Sequence, residues 1–382
     1  MRFAHLIHHP NRAIVQGRYP RDLESILGPE SLEQARRTIE AWPGYAPTRL
    51  LTLPGLARSH GLGAIDYKDE ATRFGLKSFK ALGGAYAVER LLDRLGLPPH
   101  EVTVACATDG NHGRSVAWGA RRFGCRCRIY IHATVSDARR RAIEAFGAEV
   151  VRTPGNYDDS VRRAAADAAA NGWHVVSDTS YPGYVDIPKD VMAGYMVMAE
   201  EAFAALAQPP THIAVQGGVG GVAAAVLATS WLRWGEARPR FVVVEPARAA
   251  CIAPSLDAGE RRAAAGDLET LMAGLACGEV SLLAWEVLKA GCHDALVIDD
   301  AAAVTVMRAL AEPAAGDPPV VAGESATCGL AGLLAARERP EVATALGLGP
   351  QSRVLVFGTE GDTDEALYRD LVGRSAEEVL AA

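Results

Sequence analysis

Short β-branched runs alternate along this chain with longer, alanine-rich segments. The runs that read as strands are Val102–Ala107, Arg128–Ile131, Val150–Arg152, His174–Ser177, His212–Gln216, Arg240–Glu245 and Val354–Phe357. Most are followed by a stretch of helical pattern, such as Gly113–Phe123, Ala138–Phe146, Tyr157–Asn171 and Val222–Trp234. Strand then helix, repeated, predicts mostly parallel sheets flanked by helices, hence an α/β fold in two domains. The first four units form a compact block, so a small α/β domain is expected over 85–190. The later strands are expected to join the N-terminal segment in a large domain made of 1–84 and 191–382. Leu256–Asp267 is the segment best suited to a mobile surface excursion.

At 382 residues the chain exceeds the usual size of one domain, and 49% apolar residues suffice for a large core. Aromatics are only 6% of the sequence, which favours close helix-on-sheet packing over stacking surfaces. The net charge of −7 comes without long runs of like charge, so neither a nucleic-acid groove nor a membrane-binding basic face is expected. Arg139-Arg140-Arg141 lies in a helical pattern and reads as a solvated face. No run reaches the ~20 apolar residues of a bilayer span, and Met1-Arg2-Phe3-Ala4-His5 does not open a secretory signal. A cytoplasmic protein is the expectation. The seven cysteines lack zinc-type spacing and the density of a disulfide framework, so no metal site is expected.

Four segments carry candidate chemistry. In Lys77-Ser78-Phe79-Lys80-Ala81-Leu82-Gly83-Gly84, Lys80 sits between an aromatic and small residues at a helix start. Burial there would disfavour the ammonium and free the amine to attack a carbonyl; an isolated lysine would more often be a plain surface residue, as Lys77 is expected to be. Thr108-Asp109-Gly110-Asn111-His112-Gly113 follows a strand and opens a helix, where loops line the ligand crevice of an α/β sheet. Asp-Gly-Asn is also good turn and cap chemistry. Gln216-Gly217-Gly218-Val219-Gly220-Gly221 has glycines that let backbone wrap a phosphate at a helix N-terminus. It also fits a dinucleotide fingerprint, with Glu245 ending the next strand where a ribose-binding acid would sit. In Gly358-Thr359-Glu360-Gly361-Asp362, a hydroxyl after the last strand is placed to meet a heterocycle nitrogen, or simply to make a turn.

In this order the four segments resemble the fold type II family of pyridoxal-phosphate (PLP) enzymes, over about residues 70 to 365. Within it, Ser-Phe-Lys-Ala-Leu-Gly-Gly-Ala-Tyr, Ala-Thr-Asp-Gly-Asn-His-Gly-Arg, Ser177-Asp178-Thr179 and Thr-Glu-Gly-Asp-Thr-Asp resemble the diaminopropionate ammonia-lyases. Dehydratases usually carry a small residue where Asp109 stands. The resemblance implies PLP as cofactor, with Lys80 as the PLP lysine and Asn111 on the ring hydroxyl. It implies Gly217, Gly218, Val219, Gly220 and Gly221 around the phosphate and Thr359 at the pyridine nitrogen. Asp109 and Asp178 match two acidic active-site residues, and Thr108, Asp109 and His112 would meet substrate. Cys251 and Cys277 fall where the family can have a cysteine pair. A homodimer acting on a small-molecule amino acid follows from the same likeness.

The activity implied is α,β-elimination of ammonia from 2,3-diaminopropionate, giving pyruvate and two ammonia. Two carboxylates on opposite faces of a planar intermediate would serve both enantiomers. The alternatives are a serine/threonine dehydratase-like or β-replacement PLP enzyme, a non-catalytic PLP-binding protein, and a Rossmann dehydrogenase built on the glycine loop. Against the last, at least four strands precede that loop, and the lysine and Asp-Gly-Asn-His segments would be left without a role.

Overall fold

The computed structural model describes residues 3–108 and 110–381. Its strands are β1 Leu6–Pro10, β2 Leu50–Thr52, β3 Ala64–Asp69, β4 Thr103–Ala107, β5 Arg126–Ile131, β6 Glu149–Arg152, β7 His174–Val175, β8 His212–Gln216, β9 Arg240–Pro246, β10 Asp294–Ile298 and β11 Arg353–Gly358. They form two sheets, one of seven strands in the order β1-β10-β9-β8-β11-β3-β2 and one of four in the order β6-β5-β4-β7. The small sheet is parallel throughout. The large one is parallel inside and antiparallel at both edges, where β1 pairs with β10 and β2 with β3. The α/β class and the mostly parallel sheets agree with the alternating pattern of the sequence.

All seven strands read from the sequence are present, with ends displaced by up to two residues. The N-terminal segment supplies β1, β2 and β3 to the large sheet. These three and β10 did not stand out in the sequence. The edge strands are half exposed and carry polar positions such as His8 and His9, so no continuous apolar run marks them. Of Leu256–Asp267, the first three residues complete helix Ile252–Ala258, which ends on Gly259 in the left-handed region, and the rest runs without regular structure.

Helices Lys80–Leu95 and Asp186–Ala205 carry the chain between the two sheets. Helix Lys80–Leu95 packs against Asn111–Phe123 and Asp186–Ala205, and small residues let the backbones approach. A Cβ at Gly84 would lie 2.0 Å from Ser115 Oγ, and one at Gly194 would lie 2.0 Å from the Leu82 carbonyl oxygen. This contact needs hydrogen, not methyl. It fixes the start of the Lys80 helix against both neighbours, in a core continuous through Leu82, Ala85, Val116, Met192 and Tyr195. Loops leaving β4, β7, β8 and β11 at their carboxyl ends then face one another, the usual ligand crevice of such sheets. No described helix is long and apolar enough to cross a membrane.

Candidate active site

Lys80 is the first residue of its helix, and an isolated antiparallel bridge pins the segment before it. Ser78 bridges Glu360, Phe79 N–H donates to the Thr359 carbonyl, and Gly361 N–H donates to that of Lys77. Lys77 takes φ 53°, uncommon for a side chain of its kind. Its ammonium stays at the surface, donating to Asp362 (2.8 Å) and Glu365 (2.9 Å). The expected contrast is present: Lys77 points outward, and Lys80 turns in.

Lys80 Nζ donates to Asp178 Oδ2 at 2.7 Å and lies 5.5 Å from the Phe79 ring centre and 5.8 Å from that of Tyr195. The sequence reading had burial freeing the amine. Burial does work in that direction, but the Asp178 charge and hydrogen bond outweigh it and hold the lysine above its ordinary pKa. Asp178 responds in kind. Desolvation would raise its carboxyl, yet Lys80 and His112 hold it well below the carboxylate range. The pair rests as ammonium and carboxylate.

Asn111 opens helix Asn111–Phe123, and its Nδ2 donates to Glu360 Oε2. His112 is buried; its Nε2 bonds the Val176 carbonyl at 3.0 Å, and its Nδ1 lies 3.8 Å from Asp178 Oδ2. Desolvation lowers its pKa, so the ring is neutral and the carbonyl assigns the proton to Nε2. Thr108 Oγ1 accepts from the N–H groups of Gly110 and Gly113, both at 3.0 Å, which fixes the loop. Asp109 lies outside the described residues.

The loop after β8 forms a cradle. Gly218 has φ 59° and Gly220 φ 90°. A Cβ at Gly217 would meet Glu245 Cγ at 2.7 Å, and one at Gly220 would meet Leu288 Cδ1 at 2.9 Å. Helix Gly221–Trp234 begins here, and the first amides of a helix have no intrahelical acceptor. Val219 anchors the loop by accepting from Ser281 N–H. Thr359 is buried with its Oγ1 accepting from Gln216 Nε2 at 2.5 Å, which ties β11 to β8. Cys251 is a thiol that contacts the Gly218 carbonyl at 3.6 Å.

Two sequence readings change. Glu245 is fully buried, and its two oxygens accept the N–H groups of Cys251, Ile252 and Ala253 at 2.8–2.9 Å. It caps a helix and is closed off from any ribose by its burial, so the dehydrogenase reading fails. Arg139 does not share the solvated face of Arg140; it turns toward Glu324 (3.4 Å) and Asp364 (3.8 Å). Glu324 and Glu360 are site residues that the sequence did not single out by role, although Glu360 lies inside the Thr-Glu-Gly-Asp segment. Burial and the neighbouring Glu360 raise the Glu324 pKa to about 8. Among the described residues no cluster of three or more His, Cys, Asp or Glu is arranged to hold a metal.

One lysine amine, a glycine-lined anion cradle and polar groups on both sides make a pocket for a phosphorylated carbonyl compound. A family model described as pyridoxal-phosphate dependent enzyme matches residues 41–357. The chain belongs to this family. It is 38% identical over 361 residues to diaminopropionate ammonia-lyase of Escherichia coli K12, covering 88% of this chain and 90% of that one. Biosynthetic L-threonine dehydratase of Mycobacterium tuberculosis is 26% identical over 318 residues, covering 82% and 68%. Among solved structures, diaminopropionate ammonia lyase from E. coli in complex with an aminoacrylate-PLP azomethine reaction intermediate superposes with a TM-score of 0.90. That match has 36% sequence identity and covers 97% of this chain and 98% of that one. The residues in the crevice fit the family's cofactor: a loop at a helix N-terminus with no room for a Cβ at Gly217 or Gly220 suits its phosphate, and the half-buried amine of Lys80 its aldehyde.

Proposed function

We propose that this PLP-dependent ammonia-lyase converts 2,3-diaminopropionate and water to pyruvate and two ammonia. The observation that carries the site assignment is the part-buried contact between Lys80 Nζ and Asp178 Oδ2, 2.7 Å apart. In this reading Lys80 holds the cofactor and Gly217, Gly218, Val219, Gly220 and Gly221 hold its phosphate. Asn111 meets the ring hydroxyl and Thr359 the pyridine nitrogen.

PLP, when bound, supplies the conjugated sink that accepts the electron pair of the broken Cα–H bond. The chain supplies everything else. Asp178 stores charge as a carboxylate beside the Lys80 ammonium, so a proton can pass between Nζ and Oδ2 without leaving the pocket. When the lysine proton has gone to water or to the leaving amine and not to Oδ2, Asp178 remains a carboxylate and can take the α-proton from its side of the substrate. Asp109 is assigned the same task on the opposite side. Either acid also favours the cationic β-amine, which must leave protonated. Neutral His112, with its Nδ1 toward Asp178, accepts hydrogen bonds from substrate or from the acid. Dehydration is not favoured, because identity to the threonine dehydratase is lower and both acids are retained.

A homodimer, a cytoplasmic location and a small domain over 85–190 belong to the same reading; the family resemblance supports the first, the composition the second and the separate four-stranded sheet the third. The deciding experiment is borohydride reduction of the holoenzyme and mapping of the labelled peptide, joined to assays of Asp109→Asn and Asp178→Asn on each enantiomer of diaminopropionate. Label on Lys80 and opposite enantiomer losses are expected. Label elsewhere overturns the site, and equal losses overturn the division of labour.

A further inference from the structure

Glu360 is almost fully buried and touches three other segments at the crevice. Its backbone bridges Ser78, two residues before Lys80, and its carbonyl accepts from Gly323 N–H. Its Oε1 accepts from Ser325 N–H at 3.1 Å, and its Oε2 accepts from Asn111 Nδ2. Each carboxylate oxygen therefore has a donor fixed by another segment. A carboxylate with two such donors is acceptor-only, and it constrains what its partners can present.

We infer that Glu360 is a positioning residue that fixes the Asn111 side-chain amide with nitrogen, not oxygen, toward the carboxylate. An amide has two N–H donors on one atom and two lone pairs on the other. Turned over, Asn111 would set its carbonyl oxygen against Glu360, acceptor against acceptor, in a site with little water to relieve the clash. Held as it is, Nδ2 spends one N–H on Glu360 and keeps the second for a further acceptor. This inference rests on the reading that Asn111 meets the cofactor's ring hydroxyl, and it specifies how: as a donor, favouring the ionised oxygen.

Glu324 stands beside Glu360, and burial and that neighbour raise its pKa to about 8. Arg139 and Asp364 face Glu324 from the other side. Tyr67, on β3, has its phenol raised chiefly by burial, then by Asp69 and by Glu360.

Glu360→Gln reverses the logic while keeping shape. Gln Oε1 can still accept from Ser325, which leaves its NH2 facing Asn111 Nδ2, donor against donor. Relief comes by turning the Asn111 amide over, which withdraws the donor from the ring oxygen. The test is a visible-absorbance pH titration of the substrate-free holoenzymes of wild type, Glu360→Gln, Asn111→Ala and the double variant, with thermal unfolding alongside. Both single variants are expected to move the titration of the bound cofactor upward by about one pH unit, the scale of one charge-assisted hydrogen bond. The double variant should move it no further. If Asn111→Ala shifts the titration and Glu360→Gln does not, the inference on Glu360 is overturned and the Asn111 reading stands. If Asn111→Ala leaves it unmoved, both are overturned. A purely structural Glu360 would lower the unfolding temperature and leave the absorbance alone. Should Glu360→Gln not fold, Glu360→Asp keeps the charge but retracts it by one methylene, and an intermediate shift is expected; an unshifted titration there overturns the inference.

Discussion

Asp178 reaches back 98 residues in sequence to hold Lys80, its Oδ2 accepting from Nζ at 2.7 Å. The carboxylate reverses what burial alone would do to the lysine, and it does so before any substrate arrives. Asp178→Asn removes the charge and leaves desolvation unopposed, so the Lys80 pKa should fall. An opposite charge at this range is worth about 1–3 units. The pH profile for covalent labelling of Lys80 in the cofactor-free protein should move to lower pH by about that amount. A profile that stays in place would mean that Asp178 does not control the amine.

The glycine cradle should tolerate no side chain at Gly220. Gly220→Ala forces a φ of 90° on an L-residue, at about 1–2 kcal/mol, and drives a methyl against Leu288 and Ala284. The variant should retain PLP at least ~10-fold more weakly after dialysis, with little change in helical content. Gly221→Ala, where the nearest atom is Met192 Cγ at 3.5 Å, is the control and should keep its cofactor.

Glu201 carries an ion cluster away from the crevice. Its carboxylate accepts from Lys68 at 2.6 Å, from both Arg73 terminal nitrogens at 2.8 and 2.6 Å, and from Tyr45 at 2.9 Å. Lys68 and Arg73 are almost wholly buried. Arg73 keeps its bonds to Glu70, so Glu201→Ala would leave Lys68 as the cation short of a partner, and a loss of about 3 kcal/mol in denaturant unfolding is expected. Desolvation opposes the Glu201 charge, but Arg73 and Lys68 win and lower its pKa. Its stabilisation is therefore present above the ordinary carboxylate pKa and is lost as pH falls through the depressed folded value. In Glu201→Gln the acid limb of the stability curve should flatten.

Glu324 has the opposite sign. Its pKa rises on folding to about 8, so between the ordinary carboxylate value and that point the native protein holds a proton that the unfolded chain has lost. Stability should decline with pH across this window. Glu324→Gln should remove the decline and gain about 1–3 kcal/mol at pH 8, measured by urea unfolding at pH 5 and pH 8. Parallel curves for the two proteins would show that Glu324 is already ionised.

Much of this was legible in the sequence. The α/β class followed from strand-then-helix alternation, because period and run length are local properties. Lys80 became a candidate through its neighbours Phe79, Gly83 and Gly84, since residues that bury a lysine must flank it. The glycines of the cradle stood out because backbone with positive φ selects a particular residue. By contrast, β1, β2, β3 and β10 escaped notice, being made strands by partners distant in the chain.

What only the tertiary structure decided are the signs and partners of the buried charges. Lys80 looked like an amine freed by burial until Asp178 was found against it. Arg139 belonged to a solvated face until Glu324 and Asp364 were found facing it. Glu245 looked open to a ribose until three helix amides were found on its oxygens. Composition and spacing set which chemistry a residue can perform. Electrostatic sign depends on which other chain segment arrives within a few ångströms, and that is a property of the folded molecule alone.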